Sequence, residues 1–128
     1  MQVYDLEGVY IRTFGSEVLT SPSAFAVDGP HMIVAELRAR LAVSDLDDNF
    51  VMHIGENERI SRVERNSEED VPGWPNNLDE YGKVVRTRIL QSGKFNSPHG
   101  IATDSAGNIY SGEWLIGGRY TKLFKLTG

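Results

Sequence analysis

Two stretches of this chain, forty residues apart, read alike. Val3-Tyr4-Asp5-Leu6-Glu7-Gly8-Val9-Tyr10-Ile11-Arg12-Thr13-Phe14-Gly15 lies over Val43-Ser44-Asp45-Leu46-Asp47-Asp48-Asn49-Phe50-Val51-Met52-His53-Ile54-Gly55. Both run valine, any residue, aspartate-leucine-acid, a turn, an aromatic, a β-branched residue, two variable positions, an apolar residue and glycine. Leu123 to Gly128 opens the same pattern a third time. A second pairing sets Ser21-Pro22-Ser23-Ala24-Phe25-Ala26-Val27-Asp28 against Ser97-Pro98-His99-Gly100-Ile101-Ala102-Thr103-Asp104, and Met32 to Glu36 against Ile109 to Glu113. The apolar runs are β-branched or aromatic, of strand length, and bounded by Gly, Asn, Asp or Ser, so they read as strands.

A period of about 40 residues made of four short strands is the mark of a propeller blade, in which neighbouring blades bury one another's faces. The expected fold is therefore all-β, built of β-propeller blades that are four-stranded antiparallel meanders, about two blades per chain. Residues 1–128 form a single partial propeller domain: outer strands of one blade at 2–15, a full blade at 21–55, an inserted loop at 56–94, and the inner strands of a last blade at 97–126. The competing fold is a plain antiparallel sandwich or barrel whose similar segments reflect shared hairpin chemistry. A partial propeller exposes faces and edges beyond what monomers tolerate, which points to a homo-oligomer. Three copies would close a six-bladed ring, the N-terminal strand of one completing the last blade of the next; a dimer is the runner-up.

The 128 residues suffice for one domain. A net charge of −5 argues against nucleic acid and against an anionic membrane surface as partners. No cysteine is present, so disulfides, thiolate metal sites and cysteine nucleophiles are out. That fits a soluble cytoplasmic protein and leaves export open. No apolar run nears the roughly 18 residues that span a bilayer. The segment 56–94 fits no blade; it holds Pro72-Gly73-Trp74-Pro75-Asn76-Asn77 and a predicted short helix from Leu78 to Gly82, capped by Asn76 or Asn77 with Glu80 in its first turn. A loop of such length serves function or an interface, and Trp74 between prolines is its anchor.

The residues SPHGIATDSAGNIYSGEW and the V-x-D-L-x-G-x-Y-I-R-T-F-G pair resemble NHL-repeat six-bladed propellers. Within that group, Ser97 to Leu126 and the GWPNN segment are similar to bacterial relatives of peptidyl-hydroxyglycine amidating lyases. The resemblance implies a zinc ion in a central channel, held by histidines in a Pro-His-x-[Ile/Leu]-Ala context. His99 stands in that context, and Ser23 takes its place one repeat earlier. Leu37 and Leu115 stand where the lyase tyrosine would be sought, with Arg38 and Arg119 only loosely comparable to its arginine. No catalytic residue is assigned.

Site candidates follow from the repeat. Glu36 and Glu113 hold one place on successive second strands, beside Leu37 and Trp114. Paired carboxylates bind cations or act as acid and base where burial shifts them, or else brace a scaffold through Arg38 or Arg119. The expected ligand-binding set for a small molecule or peptide is Glu36, Arg38, Glu113, Trp114 and Arg119, and the metal candidate is His99. His53 and His31 read as surface residues. Gly117-Gly118 lacks the strand-to-helix context of a phosphate loop, and no Gly-x-Ser-x-Gly elbow exists. The two function classes are a binding or interaction scaffold and a metal-dependent lyase-like enzyme.

Overall fold

Among the described residues, which are 1–62 and 73–126 of the computed structural model, every regular element but one is a strand. The order is β1 (Gln2–Tyr4), β2 (Tyr10–Thr13), β3 (Pro22–Asp28), β4 (His31–Glu36), β5 (Arg40–Asp45), β6 (Phe50–Ile54), α1 (Glu58–Ser61), β7 (Asn77–Leu78), β8 (Val84–Val85), β9 (Pro98–Thr103), β10 (Ile109–Glu113) and β11 (Arg119–Leu123). All pairing is antiparallel: a β1–β2 hairpin, a four-stranded meander β3-β4-β5-β6, a β7–β8 hairpin and a three-stranded sheet β9-β10-β11. The fold is all-β, and the four strands expected over 21–55 form one meander. No described helix is long and apolar enough to cross a membrane.

One turn is used four times. In each, an aspartate N–H donates to the carbonyl four residues on, from Asp5 to Val9, Asp45 to Asn49, Asp79 to Lys83 and Asp104 to Asn108, at 2.9–3.1 Å. Its Oδ1 accepts the amides two and four residues on, at 2.7–3.1 Å. The fourth residue is Gly8, Asp48, Gly82 or Gly107, with φ from +68° to +84°. That left-handed conformation is open to glycine and tolerated by aspartate, which explains the residue choice. The carboxylate pre-forms the turn by satisfying two amides that no strand partner reaches.

The third of these turns corrects a sequence expectation. Leu78 to Gly82 is not a helix: Asn77–Leu78 pairs with Val84–Val85 and Asp79 closes the hairpin. A local aspartate–amide network outcompetes a helix too short to nucleate.

Strand alternation sends Ile33 and Ala35 of β4 and Leu41 and Val43 of β5 to one face of the meander. There they meet Ile109, Phe95 and the half-buried Ile101 and Leu123 of the three-stranded sheet. This sheet-on-sheet core is where most of the fold's apolar burial lies. The seam is stitched by the Ser23 hydroxyl donating to the Pro98 carbonyl at 3.0 Å and the Thr103 hydroxyl donating to the Val27 carbonyl at 2.9 Å. Lys125 pairs with Asp28 across it at 2.8 Å.

Between the sheets the chain leaves and returns through a narrow neck. The Phe95 amide donates to the Gly55 carbonyl at 2.9 Å, as the Leu19 amide does to Gly15 at 2.8 Å one repeat earlier. Three residues span the first neck and 56–94 span the second, so the long segment is an insertion into a linker. Residues 63–72 of it, Pro72 included, lie outside the described residues. Trp74 packs down half-buried, its indole N–H donating to the Asn96 carbonyl at 3.3 Å.

Candidate functional site

The two glutamates of the repeat sit in one and the same arrangement. Glu36 Oε1 accepts the amides of Thr20 at 2.5 Å and Ser21 at 3.2 Å, and Glu113 Oε1 accepts those of Asn96 at 2.5 Å and Ser97 at 3.0 Å. The other oxygen of each takes an arginine Nε from directly across the hairpin: Arg40 on Glu36 at 2.6 Å, and Arg119 on Glu113. Each guanidinium then reaches the linker carbonyl below, Arg40 to Val18 at 2.8 Å and Arg119 to Lys94 at 2.7 Å. Glutamate, two amides, arginine and carbonyl form a clamp that ties the second and third strands to the linker feeding the first. Charge-assisted bonds on every side make up for taking both charges out of water.

Of the sequence-predicted residues, the clamp unites Glu113 with Arg119 and leaves Arg38 apart from Glu36. The partner of Glu36 is Arg40, which the sequence reading passed over. Arg38 sits at the turn between β4 and β5, where its amide donates to the Ser21 hydroxyl at 3.0 Å. Trp114 lies just past β10, exposed, with its amide on the Ser97 carbonyl at 2.9 Å and the His99 ring 6.0 Å from its own.

His99 and Ser23 occupy matching irregular positions. Pro98 pairs with Glu113 and Gly100 with Gly112, so His99 is the extra residue of a bulge; Ser23 is the extra residue between Pro22–Glu36 and Ala24–Ala35. His99 is exposed and Ser23 bonds the Ala35 and Pro98 carbonyls, both at 3.0 Å. Among the described residues no three His, Cys, Asp or Glu side chains come together to hold a metal ion. One imidazole beside a tryptophan does not make a zinc site, so the described donors of a single chain do not complete one.

Comparison of the chain with models of protein families, with characterised proteins and with solved structures finds no match in any of the three.

A second polar cluster closes the neck of the insertion. Glu56 accepts the Ser61 hydroxyl at 2.6 Å and Arg40 Nη1 at 3.3 Å, and faces His53 Nδ1 at 3.7 Å. Hydrogen bonding from Ser61 holds the Glu56 carboxyl below its usual range. His53 is half-buried rather than freely exposed: among the described residues its Nε2 has no partner, and burial lowers its pKa. Lys94 latches the other side, donating to the Glu56 carbonyl at 2.6 Å.

The far face of the meander holds a cavity of about 310 Å³ lined by Phe14, Val18, Leu19, Val34, Ala42 and Phe50. A smaller one of about 200 Å³ lies inside the insertion, between Asn57, Ile60, Trp74, Asn76, Thr87 and Gln91.

Proposed function

We propose that the chain is an NHL-type propeller module that acts as an oligomeric binding and interaction scaffold. The observation that supports this most is the use to which the carboxylates are put. Glu36 and Glu113, the residues best placed by sequence for acid–base work, have both oxygens committed to backbone amides and an arginine. Such groups brace strands; they have no lone pair turned toward a substrate. What the scaffold leaves on offer is surface: the exposed apolar faces of its end sheets and the amide-rich insertion cavity around Trp74, which suits a small molecule or peptide.

The lyase-like reading is kept by one observation, the exposed bulge position of His99. It needs imidazoles from three copies, because one chain supplies one. Two measurements on untagged protein separate the readings. The scaffold reading expects no glyoxylate release from a peptide ending in α-hydroxyglycine, with zinc supplied, and no zinc retained. Turnover, or a zinc stoichiometry near one per three chains that His99→Ala abolishes, overturns it.

A further inference from the structure

The two stacked sheets share a register, and it says which face of each is meant to be covered. Glu36 and Glu113 fix the alignment: Ala35 pairs with Leu41 as Gly112 does with Tyr120, and Ile33 with Val43 as Tyr110 does with Lys122. On the first strands, Ala24 opposite Ala35 matches Gly100 opposite Gly112, and Ala26 opposite Ile33 matches Ala102 opposite Tyr110. The meander face of Ala24, Ile33, Ala35, Leu41 and Val43 is buried under the three-stranded sheet. Its equivalent on that sheet, Gly100, Ala102, Tyr110, Gly112, Tyr120 and Lys122, is open, with Tyr120 91 % and Tyr110 40 % exposed.

The opposite end of the molecule carries the complement. The side chains that cover the meander are Phe95, Ile101, Ile109 and Leu123, and their equivalents one repeat earlier are Leu19, Phe25, Met32 and Ser44. These line the far face, where Phe25 is exposed and the 310 Å³ cavity opens beside Leu19 and Ser44. Its neighbour, the β1–β2 hairpin, matches β5–β6 down to the position of the bulge: Gln2–Thr13, Val3–Arg12 and Tyr4–Tyr10 correspond to Ala42–His53, Val43–Met52 and Ser44–Phe50. Among the described residues the hairpin has no inner strands, and β1 has one free edge. The cavity lies between the linker that follows this hairpin, Phe14 to Leu19, and Val34, Ala42 and Phe50 of the meander. Its rim also bears Glu17, whose charge is opposite to that of Lys122.

We propose that the Tyr110/Tyr120 face of one copy docks head-to-tail on the Phe25/Val34 face and cavity of a second copy. The inference rests on the propeller-scaffold reading and names its partner. β11 of the incoming copy needs the place that β1 holds, so β1, three residues long, is released and β2 pairs along β11. The repeat register then sets Phe14 opposite Tyr120 and Arg12 opposite Lys122. Arg12 keeps its own partner there, Asp48 at 2.5 Å, which offsets its charge toward Lys122.

The test is sedimentation of the 128-residue chain over a wide concentration range, with Tyr120→Asp and Phe25→Asp. Both aspartate variants replace exposed side chains, so circular dichroism should report an intact fold. Each should weaken self-association on the order of 30-fold or more, as for a hot-spot residue. Mixed together they should form a one-to-one dimer, since each retains the surface the other lacks. A wild-type monomer at every concentration overturns the oligomeric reading as well. Assembly indifferent to Tyr120 and Phe25, or a dimer sensitive to Tyr120 alone with no rescue on mixing, overturns only this interface.

Discussion

Glu36 and Arg40 face each other across the β4–β5 hairpin, Nε to Oε2 at 2.6 Å, with the carboxylate fully buried. Removing Glu36 leaves the buried Arg40 with only Glu56 at 3.3 Å and the Val18 carbonyl, and orphans the Thr20 and Ser21 amides. Glu36→Ala should cost about 3–5 kcal/mol in urea unfolding. Glu113→Ala should cost less, because Arg119 is the more exposed arginine and regains water. Equal losses would refute the part given to Arg119's exposure, and a loss below about 1 kcal/mol for Glu36→Ala would refute the clamp as a stabilising device.

Arg40 shows why the clamp was half legible. Three residues, 37–39, join Glu36 to Arg40 and five, 114–118, join Glu113 to Arg119, so the second spacing carried back to Glu36 lands on Ala42 and misses Arg40. Cross-strand register, not sequence separation, carries the equivalence, and register appears only once the turn is built. The strands were legible because alternation and turn residues are local. The β7–β8 hairpin was missed because its strands are two residues each; the Asp79-x-x-Gly82 spacing, shared with Asp5 and Gly8, was the available signal. The burial of His53 depends on Glu56 and the insertion neck, which no local pattern announces.

Asp104 sets an acid limit. Hydrogen bonds from the Asn108 side chain and amide, with Tyr110 and the Ala106 amide behind them, hold its pKa down at about 2. A carboxylate lowered on folding adds stability that is complete above its unfolded pKa, near 3.8, and lost as pH falls toward about 2. Melting temperature should therefore drop across that window. Asp104→Asn should flatten the drop, and an unchanged slope would show that the turn carboxylate contributes nothing.

His53 acts at higher pH with the same sign. Burial lowers its pKa, so the folded chain binds a proton less readily than the unfolded one. Its contribution is complete above the unfolded value, about 6.5, and is lost as pH falls through the lower folded value. Protection factors of the neck amides, Asn57 to Ser61, against deuterium exchange should fall in mildly acidic buffer. His53→Gln should remove that pH dependence.

Trp74 tests whether the insertion is part of the fold. Its indole reaches the Asn96 carbonyl, one residue from the Ser97 amide held by Glu113. Trp74→Ala should cost about 1–3 kcal/mol through lost packing and that bond. Trp74→Phe should recover most of the packing. If both melt with the parent, the insertion rides on the sheets without bracing them.

Gly55 and Gly29 share a left-handed backbone, φ +61° and +55°, yet differ in what surrounds them. A methyl on Gly55 would come within 2.7 Å of the Phe95 ring, whereas one on Gly29 meets nothing within 4 Å. Gly29→Ala should therefore cost only the conformational strain, about 1–2 kcal/mol. Gly55→Ala adds the displacement of Phe95, a core residue at the neck, and should cost about 1–3 kcal/mol more. Gly15 meets Leu19 at the same 2.7 Å one repeat earlier, but there the contact is the end of a flexible side chain beside the cavity, so Gly15→Ala should cost less than Gly55→Ala. A loss at Gly55 no larger than at Gly29 would mean that Phe95 yields freely to the added methyl and is not held fast at the neck.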